Sequence, residues 1–279
     1  IVDNMYEEDE NYQFEDVMRL KKMHNDISSH KDISYLELIY QPISLYSKDV
    51  KIEQMCDGYE DSNISVFEIE GNNYTNINSL RINENAINES DFKIQQGKIF
   101  NKEDYIYKKG KVIPVIIGSE LGRYYSIGDR FNGLYLEPDV SFEIIGILEQ
   151  DTKLIKGKSF VYVDYYFIIP SMDFLDYPES EFDADTQKIY YLQKINGIVK
   201  TDLDLKSFTE LMNNFTSSNG FKKMNIISYE DSIIEIWGNM SVNSIKLLML
   251  LSIITIIFSS VGLSVLLVNK FYKNVFNYG

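Results

Sequence analysis

Cysteine and histidine are almost absent from this sequence. Cys56 is the single cysteine, so no disulfide can close within the chain. That excludes a small secreted scaffold stapled by disulfides. His24 and His30 are the only histidines. On one helix they stand about one and two-thirds turns apart, on different faces. A metal site gathers three or four His, Cys or carboxylate ligands, and no such set surrounds either residue. Neither metal binding nor imidazole catalysis is expected of them.

Positive charge is scarce too: 27 Lys+Arg stand against 42 Asp+Glu, for a net charge of −15. Only Lys246, Lys270 and Lys273 lie beyond Glu235, the last acid, so the preceding part is more acidic still. Such a surface repels nucleic acid and anionic lipid headgroups. It suits either plain solubility or the attraction of cationic ligands. Catalytic loops are missing as well. Gly157-Lys158-Ser159 looks like the tail of a phosphate loop, but Thr152 stands where the first Gly belongs. A strand-like run follows where a helix is needed, so no cradle of amides forms. No nucleophile elbow, HExxH pair or calcium loop is found. No catalytic residue, metal or cofactor is therefore expected, although abundant carboxylates leave an acid pair in a cleft open.

What is present begins with apolar material. The 279 residues are 44% hydrophobic and 14% aromatic, enough for one or two domains with a packed core. Asn, Ile, Lys and Tyr abound, which reads as an AT-rich bacterial coding bias. On that reading the Asn-X-Ser/Thr triplets at Asn63, Asn73, Asn88, Asn214 and Asn239 are coincidences rather than glycosylation sites.

Residues 247–268, LLMLLSIITIIFSSVGLSVLLV, carry no charge. As a helix they reach about 33 Å, enough for a hydrocarbon core of roughly 30 Å. The run is too long, and too near the C-terminus, for a signal peptide. A transmembrane helix is predicted here. Lys270 and Lys273 follow it, while Glu230, Asp231 and Glu235 precede it. The positive-inside rule then puts residues 269–279 in the cytoplasm and the large N-terminal part outside. A domain carried outward needs an earlier signal or helix, so a membrane helix before Ile1 is expected. Ser252, Thr255, Ser259 and Gly262 share one face of the membrane helix. Small faces let membrane helices approach closely, whereas scattered serines also suit a lone anchor.

In the outer part, Phe14, Val17, Met18 and Ile27 predict a helix over 14–27, followed by a strand over 34–46. Leu205, Phe208, Leu211, Met212 and Phe215 predict another helix capped by Asp204. Strand-like runs at 195–200 and 221–228 bracket it. Ends that match in type often pack as one α+β layer. The middle reads as strands at 66–71, 112–118, 141–148 and 160–169. Tyr162, Tyr165 and Tyr166 read as sheet faces, with ligand contact the alternative. The acids Glu7 to Glu10 read as a solvated linker. Ser228 opens a stalk helix that could run through Trp237 into the membrane segment, with Gly238 and Asn239 as a kink.

Three segments carry a family likeness: QQGKIFNKEDY (95–105), PVIIGSELGRYYSIGDRF (114–131) and SFEIIGIL (141–148). In order and spacing they resemble the MacB-like/FtsX-like permeases of ABC transporters. Gly97 to Phe100 with Glu103-Asp104 match one motif, Lys98 standing in the usual Arg position. Gly128-Asp129 match a turn, and Gly146 the last strand. The resemblance implies a split α+β "porter-like" subdomain with an inserted β-rich "sabre-like" one. On this sequence that gives 1–60 and 186–228 for the first, 61–185 for the insert, 229–246 for the stalk and 247–268 for the membrane helix. It also implies a cytoplasmic ABC-type ATPase, a second permease copy or homologue, contact with membrane lipid, and a peptide as substrate. The permease would transmit ATPase-driven movement for export or resistance, without catalysis of its own. Low-GC composition and absent disulfides suggest a Gram-positive source. The family's third and fourth membrane helices are not in the sequence, so either the chain is truncated or the likeness is to a fragment. The reading from another class is a membrane-anchored extracellular sensor for a peptide or cell-wall component. A surface hydrolase is disfavoured for want of a catalytic set.

Overall fold

The computed structural model describes residues 14–136, 139–156 and 159–221, together with Met249 and Ser252, which are both helical. In chain order the elements begin α1 (Phe14–Ser28), β1 (Ser34–Leu36), β2 (Leu38–Tyr40), β3 (Ile43–Tyr46), β4 (Val66–Ile69), β5 (Asn72–Ile77), β6 (Ser79–Ile82) and α2 (Glu84–Glu89). Next come β7 (Ile94–Gly97), β8 (Ile106–Tyr107), β9 (Ile113–Ile117), β10 (Arg130–Leu134), β11 (Val140–Leu148), β12 (Lys153–Lys156) and β13 (Ser159–Tyr162). Then follow β14 (Phe167–Pro170), β15 (Asp173–Phe174), α3 (Glu181–Ile195), β16 (Ile198–Lys200) and α4 (Leu205–Ser218). The fold is mixed α+β.

Ten strands make one sheet in the order β2-β6-β14-β9-β11-β10-β3-β5-β4, with β7 on β11 off this path. The pairs β9–β11 and β6–β14 are parallel. Strands at the centre are buried on both faces, which is why they read as unbroken apolar runs. Val115, Ile117, Ile144, Phe167 and Ile169 join one core cluster with residues of α1, α3 and α4. Ile116, Ile145, Leu148 and Ile168 join the opposite cluster with Ala86 and Ile87 of α2.

The two ends of the outer part meet. β1 pairs antiparallel with β16, Tyr35 opposite Val199, and α1 packs on both α3 and α4. Asn219, at the end of α4, is bonded to Lys22 at 3.1 Å and to Asp26 at 2.9 Å on α1. The end of α4 therefore lies against the middle and later turns of α1.

Three differences from expectation have plain causes. The strand expected over 34–46 is three short ones, pairing with β16, β6 and β5 respectively; Pro42, without an N–H, sits in the second break. The run at 160–169 is split into β13 and β14 by a turn at Asp164, whose Oδ1 accepts from Ser119 Oγ at 2.6 Å and Asp151 N–H at 3.1 Å. Helix α3 was not foreseen. The expected strand at 221–228, the stalk 229–246, the membrane helix 247–268 and the tail 269–279 lie outside the described residues, apart from Phe221, Met249 and Ser252. Among the described residues no helix is long and apolar enough to cross a membrane. The chain divides into two compact units, Ile1–Ile226 and Ile227–Gly279. The finer division at 60/61 and 185/186 stays a proposal; β2 and β3 share the large sheet with strands of the middle, and residue 185 lies within α3.

Candidate functional site

The residues that carry the family likeness turn out to be folding devices. Gly97 on β7 faces Gly146 on β11. A Cβ at Gly97 would lie 2.2 Å from the Ile145 carbonyl oxygen, and Gly97 has φ +85°, so only glycine fits. In the Glu103-Asp104 motif, Asn101 Oδ1 accepts from Glu103 N–H at 2.8 Å, and Asp104 Oδ2 accepts from Asn101 N–H at 2.8 Å. That is a reciprocal cap on a single turn. Asp129 accepts from the Ser126 N–H at 2.9 Å and closes the Gly128 turn. Asn101, Asp104 and Asp129 are thus engaged in capping the backbone.

Beneath the helices lies a buried charged cluster. Glu37 follows β1 and sits at the meeting of the two ends. Its Oε1 accepts from His24 Nε2 at 2.7 Å, Ser171 Oγ donates to its Oε2, and Lys194 Nζ stands 3.5 Å from that oxygen. Lys194 also donates to Asp173 Oδ1 at 2.6 Å and to the Met172 carbonyl at 3.1 Å. Burial pushes the Glu37 carboxyl up, but the Lys194 charge, the His24 bond and charge, and the Ser171 hydroxyl outweigh it and hold it at about 2. Glu37 is thus ionised, enclosed and fully engaged, which makes it a brace rather than a proton carrier. Tyr35 adds to the brace: its hydroxyl donates to the Lys194 carbonyl and accepts from Gly197 N–H at 2.8 Å.

The outer side of α3 opens a groove of about 190 Å³. Its back is the short parallel pair β8–β15, with the Tyr107 and Phe174 rings 4.4 Å apart. Its rim is the loop 175–180 and the first turns of α3. Ser180 caps α3 by accepting from Asp183 N–H at 3.1 Å, and Asp183 Oδ2 accepts from Glu179 N–H at 3.0 Å. Lys21 of α1 holds the loop by donating to the Asp176 carbonyl at 3.0 Å. Leu175, Tyr177 and Phe182 are 67%, 72% and 67% exposed, although apolar. Asp176, Glu179 and Asp183 stand among them. Gln187, 2% exposed, lines the groove. Its Nε2 donates to Asp183 Oδ1 at 3.1 Å, while its Oε1 has no partner. A buried acceptor left unpaired costs about 1–3 kcal/mol.

His24 and His30 do not converge: the first bonds Glu37, the second lies against the Phe215 ring. Cys56 is buried, and burial with nearby Glu53 raises its thiol. Among the described residues no group of His, Cys, Asp and Glu could hold a metal ion. Of the residues expected to pack a membrane helix, Ser252 is helical; Thr255, Ser259 and Gly262 lie outside the described residues. Sequence reasoning missed both the cluster and the groove. The available signal is the density of acids and aromatics over residues 173–185.

The chain matches no protein-family model and no curated protein sequence. It is similar to the periplasmic region of MacB from Actinobacillus actinomycetemcomitans, at 14% identity and a TM-score of 0.40, over 78% of this chain and 81% of that one. It is also similar to the extracellular domain of the noncanonic ABC-type transporter YknZ from Gram-positive bacteria. There the identity is 15% and the TM-score 0.37, over 76% of this chain and 87% of that one. Overlaps this loose leave the functional reading to the chain's own features.

Proposed function

We propose that this chain is the extracytoplasmic domain and following membrane helix of an ABC transporter permease subunit. A separate cytoplasmic ATPase would hydrolyse ATP, and the permease would carry the movement outward for export of, or resistance to, peptides. The observation that carries the reading is the meeting of the two ends: β1 on β16, α1 on α4, and Asn219 bonded to α1. A domain borne between two membrane segments returns to the membrane it left, and packing of its first helix on its last suits that path. The uncharged run 247–268 with basic residues after it and acids before it supplies the second segment. The ordered motifs around Gly97, Gly128 and Gly146 add support. The groove on α3 favours a second reading, an anchored binding domain without an ATPase.

Topology is testable with cysteine labelling, because the native Cys56 is buried. Lys108→Cys, on an exposed loop, is expected to react with a membrane-impermeant maleimide in intact cells. Asn277→Cys is expected to react only after permeabilisation. The reverse pattern, or equal labelling of both, contradicts an outward-facing domain.

A further inference from the structure

We infer that the groove on the outer side of α3 binds a lysine or arginine side chain of a peptide, with an apolar residue next to that cation. Three separate features of the groove select such a ligand. The first is the unpaired acceptor: Gln187 Oε1 is buried and has no partner, while its amide nitrogen is fixed on Asp183. That orientation leaves an oxygen, so the missing group is a hydrogen-bond donor. The second is charge. Lys109 offsets Glu179 at 3.5 Å, and Lys21, which donates to the Asp176 carbonyl and lies over the Phe174 and Tyr191 rings, offsets part of the charge of Asp183 and Asp176. Asp176 and Asp183 remain in the groove, and Glu181 and Asp185 follow on the first turns of α3. The donor that this surface favours is therefore cationic.

The third is the exposed apolar rim of Leu175, Tyr177 and Phe182. A lysine or arginine carries a long apolar stem below its charge, and aromatic faces attract the cation itself. A free metal ion or a small amine would leave that rim in water. A basic peptide with a neighbouring apolar residue covers it. The groove volume of about 190 Å³ has room for one long side chain and little more. The inference stands whether or not an ATPase partners the chain.

The test uses the full chain in phosphatidylcholine nanodiscs, whose zwitterionic lipid gives lysine no anionic surface. The probe is a fluorescein-labelled Ser-Gly-Leu-Lys-Leu-Gly-Ser peptide, followed by fluorescence anisotropy, beside the same peptide with Nε-acetyl-lysine. Saturable binding is expected, about tenfold weaker for the acetylated peptide. Gln187→Leu is expected to weaken the lysine peptide about tenfold and to weaken the acetylated one, whose amide keeps a single neutral N–H, by less. Phe182→Ser, at an exposed position, is expected to weaken both. If Gln187→Leu does not fold, the exposed pair Asp176→Asn with Glu179→Gln takes its place and removes the preference for lysine over acetyl-lysine. Equal affinity for the two peptides, no saturable binding, or lysine binding untouched by these variants overturns the inference.

Discussion

Glu37 shows how one residue can set the behaviour of a whole body. It ties α1 through His24, the end of β14 through Ser171, and α3 through Lys194. Its folded-state value of about 2 lies below its ordinary 4.5. The unfolded chain thus binds a proton more readily, so the brace is fully present above the ordinary value and fades as pH falls toward about 2. The contribution is on the order of 3 kcal/mol. Glu37→Gln is accordingly expected to lower stability at neutral pH while flattening its pH dependence. Urea midpoints of the two proteins should converge between about pH 4.5 and pH 2. Parallel curves for wild type and variant over that interval would rule out the brace. The glycines act at the same scale, since Gly97 and Gly146 let β7 and β11 touch where a side chain has no room.

At the scale of elements, the sequence is legible where burial follows a regular period and obscure where polar groups are buried. α1, α4 with its Asp204 cap, and the central strands β9 and β11 fall where apolar spacing puts them. α3 hides because its buried face carries Gln187, Lys188 and Lys194 among Tyr190, Tyr191 and Ile195, while Phe182 and Ile189 point to solvent. Those polar residues are inside because their partners are inside, and a partner 134 residues away, as Ser171 is from Glu37, leaves no local pattern. The acceptor and acids of the groove were invisible for the same reason: they converge only when β15, its loop and α3 are folded. The proposed membrane helix raises the opposite case, a face that the sequence defines and of which only Ser252 is described. If Ser252, Thr255, Ser259 and Gly262 pack against another membrane helix, Ser259→Leu with Gly262→Leu should weaken assembly. Leucine replacement at Ile257, on the opposite side of an ideal helix from that stripe, should leave it intact. Crosslinking of the full chain in membranes separates the cases, and equal assembly for both variants would leave the segment a simple anchor.

For the whole molecule, the architecture that matters is a body whose first and last described helices, α1 and α4, pack together. Under the proposed function, movement of a membrane segment would reach the body through α1, α4 and the cluster beneath them, which lock β1, α3 and β16 together. Joined ends also suit a tethered receptor, so the partner decides between the two readings. Affinity capture of the full chain from native membranes in mild detergent, with the recovered subunits identified and quantified, tests this most directly. The permease reading predicts near-stoichiometric recovery of an ABC-type ATPase that binds nucleotide while this chain does not. Recovery of the chain alone, under conditions that preserve a known permease–ATPase complex, contradicts it.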